Sequence, residues 1–98
     1  MEKTSSYWLK KHLIKGGEEL SLQSHQKRCE IWVVVRGKIR ARKGETTHVL
    51  RKGEFLKIDK NEKHRMYGIT DATVLEVTLG EPREGDIVRY EDKYGRVK

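Results

Sequence analysis

The longest unbroken apolar stretch in the chain is Ile31-Trp32-Val33-Val34-Val35, closed by Arg36-Gly37. β-Branched and aromatic residues in succession favour an extended backbone, and the lack of alternation predicts a strand covered on both faces and central in its sheet. Around it, short β-rich runs recur between glycine-bearing turns, and no segment carries a sustained stripe at helical spacing. Lys38 to Arg42 alternates charged with small apolar residues, Lys43-Gly44-Glu45 turns, and Thr46 to Leu50 returns, which predicts a hairpin. Arg51-Lys52-Gly53 leads into Glu54 to Ile58, polar Asp59 to Lys63 separates that run from a strand over His64 to Ile69, and Thr70-Asp71 reverses the chain into Thr73 to Leu79. In this last run Val74, Glu76 and Thr78 share one face and Leu75, Val77 and Leu79 the other, so the strand covers a core with one side. Tyr7 to Ile14 reads as the first strand, anchored by Trp8 and broken by Gly16-Gly17 before Leu20 to Gln23. The tail from Glu81 reads as a polar arm. The fold class is all-β, a sandwich or barrel.

Composition narrows this picture. A chain of 98 residues holds one modest core, so residues 1–98 are expected to form a single domain. Hydrophobic residues make up 35% and charged residues 38%, a balance expected of a soluble domain with an ion-coated surface. No apolar run approaches the roughly 20 residues that span a bilayer, and Met1 to Lys15 alternates charge with apolar residues, so the expectation is a cytoplasmic protein with no membrane partner. The single cysteine, Cys29, cannot close an internal disulfide and reads as an inert thiol; stability must come from packing or subunit association, and a homodimer is expected. The net charge of +7 suits anionic ligands, but the cations are spread along the chain among fifteen acids, which argues against nucleic acid.

The residues with chemistry to offer lie near turns: His25, Glu30 and His64, with Gln23 and Lys27 beside them. In an extended stretch Gln23, His25 and Lys27 look into the same space, whereas Glu30 joins them only if the chain bends between. Two imidazoles and a carboxylate are the donor set of mononuclear zinc, manganese or iron sites. His12 and His48, isolated in sequence, read as ordinary hydrogen-bonded histidines, and Trp8 and Trp32 as core anchors.

Leu20 to Gly37, LSLQSHQKRCEIWVVVRG, resembles the first cupin motif, and Gly53 to Gly68, GEFLKIDKNEKHRMYG, resembles the second. The closer resemblance is to the cupin domain of type II mannose-6-phosphate isomerases, which often sits at the C-terminus of mannose-1-phosphate guanylyltransferases. It is carried by Leu20-Ser21-Leu22-Gln23, Arg28, Glu30 to Val35, Glu62-Lys63-His64-Arg65 and the tail Gly85 to Arg96. The resemblance implies a double-stranded β-helix, or jelly-roll barrel, that holds a divalent metal in its mouth and binds a sugar phosphate. His25, Glu30 and His64 match its metal ligands. Lys27 stands where a second histidine is usual, and an ammonium has no lone pair for a metal, so the site is weakened. Asp59 and Asn61 replace the usual proline and glycine of the second motif. If the family's isomerase chemistry persists, Lys27, Glu30 and His64 are the catalytic candidates, and Gln23, Arg28, Arg89 and Arg96 the substrate-binding ones. The alternatives are a non-catalytic cupin that binds a sugar or small anion, and an iron-dependent oxygenase. The chain carries no glycine-rich nucleotide loop of its own for guanylyl transfer.

Overall fold

The β-rich runs become ten strands: β1 (Glu2–Lys3), β2 (Tyr7–Ile14), β3 (Leu22–Ser24), β4 (Arg28–Arg36), β5 (Lys38–Lys43), β6 (Thr46–Arg51), β7 (Phe55–Ile58), β8 (His64–Gly68), β9 (Ala72–Gly80) and β10 (Val88–Glu91). The structure, a computed structural model, describes the backbone of residues 2–3, 7–26, 28–80 and 88–91, and the side chains of 7–26 and 28–80. Pairing is antiparallel throughout and makes two five-stranded sheets, in the orders β1-β2-β9-β4-β7 and β10-β3-β8-β5-β6. This is the jelly roll that the resemblance implies. No helix among the described residues is long and apolar enough to cross a membrane.

Local chemistry fixes the turns. Lys43 pairs with Thr46 across a two-residue loop whose first residue, Gly44, has φ 58°, the place where a hairpin of right-handed twist takes glycine. Gly37 ends β4 with φ 78°, and a side chain there would overlap the Asp71 carbonyl oxygen, so the β4–β5 corner demands glycine twice over. Asn61 has φ 63°, which asparagine tolerates better than most residues, so the change from the family's glycine keeps the turn. Its amide donates to the His25 carbonyl at 2.6 Å and ties the two motif loops together.

Burial corrects two readings of the sequence. The middle strand of the first sheet is β9, with β4 beside it, and β4 is not covered on both faces. Arg28, Glu30, Trp32 and Val34 are buried, whereas Ile31 and Val33 are half-buried and Val35 is 44% exposed. The second sheet packs on only one side of β4, and a register shift between Val34 and Arg36 ends the alternation. On β9 the inward side is the mixed one: Ala72, Val74, Glu76 and Thr78 are buried, and Leu75, Val77 and Leu79 face outward.

The inward rows divide the barrel along its length. Ile14, Val34, Val74, Ile39 and Met66 belong to one apolar cluster. Further along the same strands the inward residues become His12 on β2, Glu30 and Arg28 on β4, Glu76 and Thr78 on β9, and His64 on β8. Apolar packing closes one end and leaves a polar cavity towards the other. The tail is a strand in part: Val88–Glu91 pairs with β3 and extends the second sheet.

Candidate functional site

The sheet register brings the polar side chains together. Glu30 pairs with Thr78 and Trp32 with Glu76, so β4 and β9 present two carboxylates on neighbouring strands, both facing in. β3 ends at Ser24 and the chain bends at Gln26, which returns His25 to Glu30 as the odd spacing requires. His25 Nε2 lies 2.8 Å from Glu30 Oε2, and Trp32 Nε1 donates to Glu30 Oε1 at 2.9 Å. His64, the first residue of β8, stands with its Nε2 3.9 Å from Glu30 Oε1 and its ring 4.9 Å from that of His25. The edge of Trp32 closes the group at 5.5 Å from the His64 ring. All three candidate ligands of the sequence reading are buried, and one donor atom from each lies within 4.8 Å of the others.

The electrostatics follow from this enclosure. Burial raises the Glu30 carboxyl, yet the hydrogen bond from His25, the His64 imidazole and the Trp32 indole outweigh it and hold the group down at about 2. Burial pulls His64 below its ordinary value, against the attraction of Glu30. Glu30 is therefore an ionised carboxylate whose two oxygens are both engaged.

The donor chemistry fits a divalent metal. His64 Nδ1 donates to the Glu62 carbonyl at 2.9 Å, which fixes the tautomer and leaves the Nε2 lone pair facing Glu30. His25 Nε2 presents its proton to Glu30, and a metal would take that proton's place. A guanidinium opposes it: Arg28 Nη2 stands 3.3 Å from His25 Nε2, and Arg28 Nε 3.8 Å from Glu30 Oε2, so a positive charge already leans on the same atoms. That Nε is buried with no hydrogen-bond partner among the described residues.

The cavity in front of this group has a volume of about 140 Å³, far beyond the roughly 10–15 Å³ that one water needs. Gln23 and Arg28 line it, as the sequence suggested, and Gln23 Nε2 donates to Ser21 Oγ at 2.5 Å. Lys27 and Arg96 lie outside the described residues, and Arg89 is described only as a backbone partner of Gln23 in β10. Sequence reasoning missed a second imidazole–carboxylate pair on the wall. His12 Nε2 donates to Glu76 Oε1 at 2.6 Å, and Thr78 Oγ1 donates to Glu76 Oε2 at 2.7 Å. Lys10 of β2 lines the same space. The available signal was parity: Glu76 is a charged residue on the side of β9 that it shares with Val74.

The comparisons with known proteins point the same way. Solved structures with this fold include KdgF from Halomonas sp., with TM-score 0.78 over 87% of this chain and 78% of that one, and TT1209 from Thermus thermophilus, with TM-score 0.77 over 83% and 79%. At 17% identity each, they show the fold alone. Sequence relatives carry more. The mannose-1-phosphate guanylyltransferase ManC of Salmonella typhimurium is 37% identical over 94 residues, which is 93% of this chain and 20% of that protein. The xanthan biosynthesis protein XanB of Xanthomonas campestris pv. campestris is 37% identical over 92% of the chain and 20% of its own length. The chain thus spans about a fifth of these relatives. A family model described as mannose-6-phosphate isomerase C-terminal matches residues 1–92, nearly the whole length, and the chain belongs to that family of cupin domains.

Proposed function

We propose that the cavity binds a sugar phosphate and interconverts its aldose and ketose forms, the activity named in the family's description. The observation that supports this reading is a second imidazole–carboxylate pair, His12–Glu76, lining the same cavity as Glu30 and His64 of the candidate metal group. Isomerisation needs a fixed group that polarises oxygen and a separate group that carries a proton between adjacent carbons. A divalent metal, zinc, manganese or iron, held by His25, Glu30 and His64 would supply the polarisation. With Glu30 serving as a ligand, the carbon-bound proton falls to Glu76: it takes the proton from the carbon bearing the hydroxyl to give an enediol and returns it to the former carbonyl carbon, while the hydroxyl's own proton passes to the former carbonyl oxygen, and His12 and Thr78 hold the Glu76 carboxylate in place. Arg28 and Lys10 are positioned to meet the phosphate.

Incubation with mannose 6-phosphate in D2O tests this reading. Deuterium at C2 of the recovered sugar, with fructose 6-phosphate formed, is the expected outcome, and Glu76→Gln should lower the rate at least 100-fold, about 10²–10⁴ being typical of such groups. Full turnover by Glu76→Gln would remove its role, and no turnover by the unsubstituted protein would remove the isomerase reading.

The guanidinium beside His25 favours a second reading, a metal-free module that binds a sugar or small anion without turning it over. Elemental analysis of the protein and of Lys27→His separates the two. Roughly one equivalent of metal in the unsubstituted protein supports the first, and an empty protein that fills only after the substitution supports the second.

A further inference from the structure

The Arg28 side chain belongs both to the surroundings of the candidate metal group and to the lining of the cavity in front of it. It is buried, yet its place beside Glu30 is poorly bonded. Nε lies 3.8 Å from Glu30 Oε2, beyond hydrogen-bond range, and finds no other partner among the described residues. Nη2 lies 3.3 Å from His25 Nε2, but the proton on that nitrogen points to Glu30, so two donors face each other and no lone pair is on offer. A buried arginine in a structural ion pair sets its fork on the carboxylate in two parallel bonds. Here one Glu30 oxygen is engaged by His25 and the other by the Trp32 indole. Among the described residues the guanidinium is thus held beside Glu30 by charge and not by hydrogen bonds.

We propose that Arg28 is a placeholder cation, which balances Glu30 until a divalent ion takes that role and then turns into the cavity to grip the phosphate of the substrate. That role rests on the reading of His25, Glu30 and His64 as a metal group. Charge is the first argument. A guanidinium and a divalent ion compete for one carboxylate, and beside the ion the guanidinium is repelled. Bonding is the second. Arg28 gives up no hydrogen bond among the described residues when it leaves, and the cavity of about 140 Å³ has room for the turn. Complementarity is the third. The fork needs acceptor oxygens, and a phosphate supplies two in the geometry that a guanidinium fits. Metal and anion therefore favour the same orientation of one side chain. Each then raises the affinity of the other by the same factor, for which about 5–150-fold is the usual range. The consequence for the proposed reaction is order: the phosphate is gripped tightly only where the ion that polarises the sugar oxygen is already in place.

Manganese binding to the full chain and to Arg28→Met, followed by electron paramagnetic resonance with and without about 10 mM inorganic phosphate, tests the proposal. Phosphate should tighten manganese on the unsubstituted protein about tenfold. Without phosphate, Arg28→Met should bind manganese about tenfold tighter than the unsubstituted protein, because no guanidinium competes, and phosphate should then change its affinity by less than about twofold. Lys10→Met removes another cation that lines the cavity, and it should leave the affinity for manganese alone within about twofold. Should Arg28→Met fail to fold, Arg28→Gln, which keeps a polar donor at the buried position, replaces it with the same expected results. Manganese that binds Arg28→Met no tighter than the unsubstituted protein overturns the proposal. So does phosphate that tightens manganese equally in both, since the anion then sits on the ion itself, and so does an equal gain in Lys10→Met, which would make the effect one of general charge. No manganese on any of these proteins removes the metal group, and the placeholder with it.

Discussion

The two faces of β9 carry opposite chemistry to what their positions suggest. Inside the barrel stand Val74, Glu76 and Thr78, and outside stand Leu75, Val77 and Leu79. The same inversion runs through β4, where Arg28 and Glu30 face in and Ile31 and Val33 face out. A sheet that buried its most apolar side would have a better core and no cavity chemistry. This domain confines its apolar packing to one end, uses the rest of the interior for ionised groups that hold one another in place, and sets apolar side chains on the outward side of the first sheet. Hydrophobic pattern alone therefore does not say which face of a strand looks into the barrel.

The inner face is the more costly one to disturb. Glu30→Ala removes the acceptor of His25 and of the Trp32 indole and leaves Arg28 beside a void. Loss of one partner from a buried charged network costs about 3–5 kcal/mol, and chemical denaturation should show a loss of this size. Acid should act on the same network more gradually. Both Glu30 and His64 have folded pKa values below their ordinary 4.5 and 6.5, so in each case the unfolded chain binds protons that the folded one refuses. The contribution of His64 is therefore complete above pH 6.5 and fades below it. That of Glu30 is complete above 4.5 and is lost as pH falls towards about 2. Thermal melts between pH 7 and pH 3 should show stability falling throughout, and in Glu30→Gln the fall below pH 4.5 should be shallower.

How far the sequence discloses this inversion depends on the residue. The hairpin of β5 and β6 is legible because glycines bound its strands and local pairing suffices, and the strand over Tyr7–Ile14 because Gly16-Gly17 ends its apolar run. His25, Glu30 and His64 are legible because their spacing matches two motifs. His12 is not, since its partner lies 64 positions away and only the β2–β9 register brings them within 2.6 Å. The Ile31 to Val35 run predicts cover on both faces, and within one chain it has cover on one. The run's apolar continuity does not by itself decide burial: no element of the described chain covers its outward side.

Two adjacent residues of β2 set the faces against each other at the finest scale. Leu13 is 72% exposed on the outer face, and Ile14 is 3% exposed in the apolar cluster. In dilute solution, where copies are separate, Leu13→Ser should change unfolding free energy by less than about 0.5 kcal/mol, as exposed positions do. Ile14→Ala in the same conditions should lose about 2–5 kcal/mol, because the cavity it leaves is walled by packed side chains. A Leu13→Ser deficit as large as that of Ile14→Ala would mean that the side chain is covered within its own chain, and the contrast between the two faces would lose its meaning at that residue.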